Sequence, residues 1–179
     1  MPASPIALIL GSGPRVGAAV AEKFASNGYQ VVVSSRSGTG SKTAEGYYSF
    51  KADLTKPESI EALFQAVKTQ VGAAPSVVIY NAAALTFPPV ENEPLSIPAD
   101  SVANDLNVNT VSPWAAAQQA IAGWETLPEG TKKTFIFTGN ILNVLVPNQP
   151  RFTTLGVGKS ASAFWIGLAD QSYAARGYR

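Results

Sequence analysis

A glycine-rich segment near the start of the chain has the residue types and spacing of an anion-binding turn. It follows an apolar run, precedes a helical pattern, and consists of Gly11, Ser12, Gly13, Pro14, Arg15, Val16 and Gly17. Backbone amides at such a turn, and at the start of the following helix, can hold a phosphate group. The dinucleotide fingerprint G-x-G-x-x-G would require glycine at position 16, where the chain has Val16. The segment predicts phosphate binding, and the alternative is a tight strand-to-helix turn that binds no ligand.

Two residue types that carry much of enzyme chemistry are missing from these 179 residues, which contain no histidine and no cysteine. Their absence excludes Ser-His-Asp and Cys-His nucleophile systems and thiolate redox chemistry. It also excludes zinc sites that are built on imidazole or sulfur. Much of hydrolase chemistry is therefore ruled out.

Composition and charge predict one ordinary globular domain over residues 1–179. The sequence is 46% hydrophobic and 14% charged, with a formal net charge of +1. No basic cluster extends beyond Lys132 and Lys133, so we expect no nucleic-acid partner. The first residues carry no basic region, and glycines interrupt the apolar stretch after them. We therefore expect a cytoplasmic protein with no signal peptide and no membrane partner.

Short apolar runs alternate with helical patterns, as in a parallel sheet that is covered on both faces. The runs are residues 6–10, 30–34, 47–50, 77–80 and 134–138. Each is short and apolar enough to be a buried strand. The pattern predicts an α/β fold with a doubly wound parallel sheet in three layers, α/β/α.

Helical patterns occupy the intervals between these runs. The first covers residues 15–26, and the second follows Thr55 and Glu58, which fit a capping box. A third helix is predicted over residues 99–124, with a bend at Pro113, and a fourth over residues 157–176. The fourth is apolar over a wider arc than one sheet face requires, which predicts a homo-oligomer formed through the third and fourth helices.

Two proline-containing loops, residues 84–98 and 141–155, follow predicted strands at their carboxyl ends. Open α/β sheets bind ligands at that edge. The loops carry an apolar set, which is Leu85, Phe87, Leu142, Val144, Val146 and Phe152. This set favours a small hydrophobic substrate, and core packing is the alternative.

The glycine segment resembles the T-G-x-x-x-G-x-G loop of the short-chain dehydrogenase/reductase family, because Gly11 and Gly17 are six residues apart. Arg15 stands at the family's middle glycine. Further matches follow in the family's order along nearly the whole chain. They are Asp53-Leu54 after the third run, Tyr80-Asn81-Ala82-Ala83 in place of N-N-A-G, Asn109 in the third helix and Lys159 in the fourth.

The resemblance implies a Rossmann-type fold and a nicotinamide dinucleotide cofactor. It places cofactor contacts at Gly11, Ser12, Gly13, Arg15, Val16, Gly17, Ser35, Arg36, Asp53, Leu54, Asn81, Ala82, Ala83 and Lys159. For Asp53 a turn residue is the alternative interpretation, and for Asn109 a solvated helix residue.

The end of the second run predicts which dinucleotide is bound. An NAD enzyme of this plan usually has an acidic residue there to hold the adenosine ribose hydroxyls. This sequence has Ser34, Ser35 and Arg36 instead. Arg36, together with Arg15 and Lys42, supplies positive charge for a 2′-phosphate, so NADP(H) is the predicted cofactor. The alternative for Arg36 is a solvated loop cation.

The resemblance fails at the family's proton donor. Family members carry a tyrosine four residues before the lysine, whose charge lowers the pKa of the phenol. Here that position is Leu155, and the longer enoyl-reductase spacing of seven reaches Phe152. The family's serine corresponds to Asn140. The catalytic residues that the resemblance implies are therefore Asn109, Asn140 and Lys159.

Two functions from different classes stay open. One is an NADP-dependent oxidoreductase that acts on a small, fairly apolar carbonyl or activated alkene, with the family's serine and tyrosine replaced. The other is a dinucleotide-binding protein without hydride transfer, such as a sensor or a partner subunit. The resemblance also implies a sixth strand beyond residue 179, so we expect either an uncovered edge on the fifth strand or a fragment of a longer chain.

Overall fold

A computed structural model describes residues 4–179. In that range the strands are β1 Ile6–Leu10, β2 Gln30–Ser35, β3 Tyr48–Lys51, β4 Val77–Tyr80 and β5 Thr134–Phe137. The α-helices are α1 Val16–Ser26, α2 Ser59–Val71, α3 Ala99–Leu106, α4 Ser112–Trp124 and α5 Thr153–Tyr173. A π-helical turn, Asn107–Val111, joins α3 to α4.

The strands form one parallel sheet in the order β3-β2-β1-β4-β5. β1 is the central strand, with Leu8 aligned to Val32 of β2 on one side and to Val78 of β4 on the other. The strand order reverses between β1 and β4. A crevice opens at the carboxyl ends of the strands at such a reversal, and ligands of open α/β sheets bind there.

Helices cover both faces of the sheet, each over its own apolar core. On one face α1 packs on alternate strand residues such as Ile9, Val33 and Ile79. On the other face α2 and α4 pack on Leu8, Val32 and their neighbours. Both sides of each central strand are covered by helices. This explains why the sequence of each strand is continuously apolar rather than alternating between apolar and polar residues.

The predicted fold class is confirmed, and the helices differ from the prediction mainly at the start of α5 and before α2. α5 begins at Thr153 because the 3-10 turn Pro150–Phe152 leads directly into it. The capping box at Thr55 and Glu58 is wrong. The Thr55 hydroxyl donates to Asp53 Oδ1 over 2.8 Å, and α2 begins at Ser59 with no side-chain cap.

The edge of β5 is partly paired, which corrects the expectation that it is uncovered. The N–H of Phe135 donates to the Arg179 carbonyl over 2.6 Å, and the N–H of Arg179 donates to the Lys133 carbonyl over 3.1 Å. Tyr178 packs its ring against Trp124, with the ring centroids 5.0 Å apart. Within residues 4–179, none of the helices has the length and apolarity that crossing a bilayer would need.

Candidate functional site

An open groove of about 980 Å³ runs along the carboxyl ends of β1, β2 and β4. Its lining comes from five segments, which are 11–14, 34–37, 52–55, 81–85 and the pair Asp105 and Val108. The groove lies where the strand order reverses, so the topology itself places these segments together.

The turn after β1 requires glycine at two positions. Gly11 has a φ of +92°, and a Cβ added to it would lie 2.6 Å from the backbone nitrogen of Ala82. A Cβ on Gly17 would lie 2.7 Å from Ser12 Cα and 2.8 Å from the Gly11 carbonyl oxygen. The end of β1, the start of α1 and the end of β4 therefore approach one another more closely than any side chain allows.

The same turn presents backbone N–H groups that the protein leaves unused. α1 starts at Val16 without a side-chain cap. Among the described residues, the N–H groups of Gly13, Val16 and Gly17 donate to no backbone carbonyl outside the helix, and the first turn of a helix offers them none within it. Unused N–H groups at a helix amino terminus are a ready site for an anion such as a pyrophosphate.

Ser34 connects the turn to the end of β2. Its carbonyl accepts the N–H groups of Gly11 and Ser12, each over 3.2 Å. Its hydroxyl is sealed from solvent and has no hydrogen-bond partner within residues 4–179. Ser35 and the exposed Arg36 follow it along the groove wall. This end of the groove therefore offers hydroxyls and a guanidinium and has no carboxylate on β2.

The carboxylate at this end comes from the loop after β3. Asp53 Oδ1 accepts both the hydroxyl and the N–H of Thr55, over 2.8 and 3.1 Å. These bonds, the hydroxyl first, hold the pKa of Asp53 below its usual value. Lys42 does not line the groove, and its ammonium lies over the ring of Tyr48 at 4.6 Å from the centroid.

A hydrogen-bonded chain ties three strand ends to α5. Asn81 Nδ2 donates to the Gly11 carbonyl over 2.9 Å, and the Thr138 hydroxyl donates to Asn81 Oδ1 over 3.0 Å. Lys159 Nζ donates to the Thr138 carbonyl over 2.6 Å. Through this chain the glycine turn, the end of β4 and the end of β5 fix the position of the lysine.

Lys159 is buried, with 3% of its surface exposed. Its ammonium lies over the ring of Phe137, 4.2 Å from the centroid, and burial lowers its pKa. Leu155 is half-buried one helical turn before it, so the two side chains share a face of α5.

Asn109 is fully buried and binds the segment that follows β4. Its Oδ1 accepts the N–H of Ala84 over 2.9 Å, and its Nδ2 donates to the carbonyl of the same residue over 2.8 Å. Its own carbonyl would need the N–H of residue 113 to continue an α-helix, but Pro113 has none. The Ser162 hydroxyl donates to that carbonyl over 2.7 Å instead.

Like Ser162, Tyr80 donates its hydroxyl to a backbone carbonyl of the π-helical turn that has lost its helical donor. The N–H of Ser112 donates to the Asn107 carbonyl, which leaves the carbonyl of Val108 without its helical donor. The Tyr80 hydroxyl donates to the Val108 carbonyl over 2.7 Å. Burial raises the pKa of Tyr80 far above its usual value. Tyr80 is therefore a structural phenol and cannot replace the family's proton donor.

Asn140 lies at the exposed start of the loop after β5. Its Oδ1 accepts the N–H of Leu142 over 3.0 Å, as the cap of a short 3-10 turn. The apolar set predicted around the cleft divides between different environments. Leu142 is buried, whereas Val144 and Val146 are 86% and 94% exposed. Leu142, Val146 and Phe152 share a hollow of about 490 Å³ beside the start of α5.

The structure brings together most, but not all, of the residues predicted to contact the cofactor. Those on the groove wall are Gly11, Ser12, Gly13, Ser35, Arg36, Asp53, Leu54, Asn81, Ala82 and Ala83. Those outside its lining are Arg15, Val16, Gly17 and Lys159. The predicted catalytic residues Asn109 and Asn140 also lie outside it. Sequence reasoning missed Ser34, Asp105 and Val108. Asp105 had a usable signal, since it precedes Asn109 by four residues on a helix.

Comparisons with known proteins agree with this arrangement. A family model described as Enoyl-(Acyl carrier protein) reductase matches residues 14–149. "Short chain dehydrogenase/reductase dmxR12" of Cryptosporiopsis sp. (strain 8999) is 39% identical over 187 residues, and the match covers 98% of this chain and 74% of that protein.

Solved structures share the fold at low sequence identity. A 4-hydroxyisoleucine dehydrogenase complexed with NADH superimposes with a TM-score of 0.82 at 17% identity, over 98% of this chain and 72% of its own. A short chain dehydrogenase from Burkholderia cenocepacia J2315, in complex with NADP, gives a TM-score of 0.77 at 22% identity, over 97% and 70%. The family model and the Cryptosporiopsis relative show that the chain belongs to the short-chain dehydrogenase/reductase family.

Proposed function

We propose that the chain, as a single domain, binds NADP(H) in the groove and acts as an oxidoreductase on a small, fairly apolar carbonyl or activated alkene. The observation that carries the proposal is the glycine turn. Two close approaches at this turn exclude side chains. Three N–H groups of the turn are unused, that of Gly13 on the groove wall and those of Val16 and Gly17 at the start of α1 beside it, and such groups suit a pyrophosphate. Relatives solved with NADH and with NADP support a nicotinamide dinucleotide as the ligand.

Three segments of the groove wall suit three parts of that ligand. The turn at residues 11–17 would hold the pyrophosphate, Ser35 and Arg36 the adenosine ribose, and Asp53 with Leu54 the adenine. When bound, the nicotinamide would supply hydride transfer. Lys159 would hold positive charge close to that reaction through the chain to Thr138 and Asn81.

Arg36 supports the preference for NADP(H) over NAD(H). It lines the groove beside the unpartnered Ser34 hydroxyl, and no carboxylate occupies the end of β2 to hold a ribose 2′-hydroxyl. A guanidinium matches a 2′-phosphate, whereas a carboxylate would repel it.

Replacing Arg36 by alanine is expected to weaken NADPH binding by about tenfold, the loss of one charge-assisted hydrogen bond, and to leave NADH binding nearly unchanged. Titration of each dinucleotide, followed by its fluorescence, measures both effects. Lys132→Ala removes an exposed cation that does not line the groove and is the matched control. Equal affinity of the unmodified chain for NADPH and NADH would contradict the preference.

Leu155 favours a second candidate function, dinucleotide binding without hydride transfer. In the part of the chain that the structure describes, the Lys159 ammonium is hydrogen-bonded to no phenol, and the Tyr80 hydroxyl donates to the Val108 carbonyl. General acid assistance is worth about 10²- to 10⁴-fold in rate, so turnover without it is expected to be slow. The remaining proton source is water, relayed by Lys159 or Asn140.

One experiment tests both candidates. NADPH is titrated against the chain, and its oxidation is then followed with a panel of small ketones, aldehydes and activated alkenes. Binding with slow oxidation supports the oxidoreductase, and binding without oxidation supports the second candidate. Absence of NADPH binding would contradict both.

We also propose that the chain forms a homo-oligomer through α4 and α5. Trp114 and Trp165 stack edge to face with centroids 5.3 Å apart, and the nearby Phe164 and Leu168 are largely exposed. Apolar hollows of about 200 and 210 Å³ lie between the two helices. Exposed aromatic and aliphatic side chains around such hollows are typical of a subunit interface.

Phe164→Glu is therefore expected to shift the sedimenting mass from an oligomer to a monomer, because it places a charge in the apolar surface. Leu95→Glu changes another highly exposed leucine, outside α4 and α5, and serves as the control that should keep the oligomer. A monomer at all concentrations of the unmodified chain would contradict the proposal.

A further inference from the structure

Asp105 is a buried carboxylate in the groove wall to which neither the family resemblance nor the proposed function gives a role. It lies on α3, is only 6% exposed, and lines the groove next to Val108. Its Oδ2 accepts the N–H of Thr86 over 2.7 Å, and that N–H also lies 3.3 Å from the Thr154 hydroxyl of α5. One oxygen of the carboxylate is thus used to hold the chain after β4.

The other oxygen of Asp105 is available to a ligand. Within residues 4–179 it accepts no hydrogen bond, and the only sealed side-chain atoms without partners are Ser34 Oγ and Trp165 Nε1. Asp105 Oδ1 is therefore not sealed from solvent, and the residue lies in the groove wall. The one ion pair among the described residues joins Arg176 and Glu125, so no cation neutralises this carboxylate. A buried, unpaired negative charge is costly unless a ligand compensates for it.

The contacts of α3 and the following turn show which end of the groove Asp105 faces. Asn107 and Ser112 donate to the carbonyls of Thr55 and Leu54, so their side of the helix faces the adenosine end. Asp105 and Asn109 instead contact the chain after β4 at residues 84–86. At Thr86 this segment reaches Thr154 near the start of α5, the helix that carries Lys159.

We propose that Asp105 lies beside the nicotinamide and makes the groove favour the oxidised dinucleotide over the reduced one. The inference rests on the proposed function. The oxidised ring carries one positive charge and the reduced ring carries none. A carboxylate in a partly desolvated groove therefore stabilises only the oxidised form.

This preference assists hydride donation. With NADPH bound, the nicotinamide would supply the hydride, with both electrons of its C–H bond, to the carbonyl carbon and would gain one positive charge. Water would give a proton to the carbonyl oxygen and leave as hydroxide. Asp105 stabilises that charge as it develops, so it acts on the cofactor side of the reaction rather than on the substrate oxygen.

The experiment compares Asp105→Asn with the unmodified chain by calorimetric titration of NADP⁺ and NADPH. Asparagine keeps the shape and an acceptor for the Thr86 N–H but removes the charge. The ratio of the NADPH Kd to the NADP⁺ Kd is expected to fall by about five- to tenfold. A tenfold change corresponds to about 30 mV in the potential of the bound two-electron couple.

Asp53→Asn is the matched control, because it neutralises a carboxylate at the adenosine end of the same groove. It is expected to change both Kd values by the same factor. If Asp105→Asn does not fold, Asp105→Ser provides the neutral variant. A ratio that stays constant in the neutral Asp105 variant while both dinucleotides bind overturns this inference alone. Absence of binding to the unmodified chain overturns the proposed function as well.

Discussion

Leu155→Tyr is expected to oxidise NADPH with a small ketone or aldehyde about 10²- to 10⁴-fold faster than the unmodified chain, the usual worth of general acid catalysis. Position 155 lies one turn before Lys159 on the same face of α5. A phenol there would stand next to the ammonium, whose charge lowers the pKa of the phenol and makes it a better proton donor. The rate of loss of NADPH absorbance measures the effect.

Leu155→Phe is the control, since it adds the ring without the hydroxyl. If a phenol is what the chain lacks, the tyrosine variant gains turnover and the phenylalanine variant does not. Equal rates in the two variants would show that the proton has another source, or that the substrate oxygen is not bound near α5. Affinity for NADPH should stay within about threefold in both variants, because Leu155 does not line the groove.

The fold could be predicted from the sequence because its strongest signals are local. Runs such as residues 77–80 are short, apolar and bounded by turn residues, and both faces of their strands are buried as that pattern implies. The predicted bend at Pro113 corresponds to the π-helical turn Asn107–Val111 directly before it. The capping box failed because α2 begins only at Ser59, with Glu58 rather than Thr55 at its cap position, and the Thr55 hydroxyl donates to Asp53 instead.

The candidate site was predicted where glycine spacing and strand ends define it, and was missed where contacts between distant segments define it. Gly11 could be identified because its neighbours along the chain set its role. The role of Asp105 depends on Thr86 and Thr154, which lie far from it in sequence. Likewise, nothing around Ser162 in the sequence shows that its hydroxyl meets the Asn109 carbonyl across two helices.

The two helices that hold the reacting end of the site are locked in one register. The N–H of Thr86 lies within hydrogen-bond distance of both Asp105 and Thr154. Asn109 packs against Gly158, where an added Cβ would overlap the Asn109 side chain. The residues of each pair, Asp105 with Thr154 and Asn109 with Gly158, are 49 positions apart. Successive turns of α5 therefore face α3 and the π-helical turn that follows it. These contacts fix Asp105 of α3 relative to Lys159 of α5. The proposed function uses the charge of Lys159, and the further inference uses that of Asp105.

Gly11→Ala is expected to weaken NADPH binding by about 10- to 100-fold and to lower the free energy of unfolding by about 2 to 3 kcal/mol. The φ of +92° disfavours any side chain, and the new Cβ would lie 2.6 Å from the Ala82 backbone nitrogen, which cannot rotate away. Relief of that contact moves the turn from the end of β4 and breaks the alignment of its free N–H groups with the phosphate. NADPH titration and thermal unfolding measure the two losses.

Gly17→Ala tests the effect of close packing without the effect of backbone strain. The φ of Gly17 is not in the left-handed region, but its added Cβ would lie 2.8 Å from the Gly11 carbonyl oxygen. It should weaken NADPH binding as well, at a smaller cost in stability. Gly167→Ala on α5 meets no atom within 4 Å and is expected to leave binding unchanged and stability unchanged or slightly raised. If Gly11→Ala loses stability but binds NADPH like the unmodified chain, the turn serves only to join β1 to α1. The pyrophosphate, if it binds at all, would then be held elsewhere.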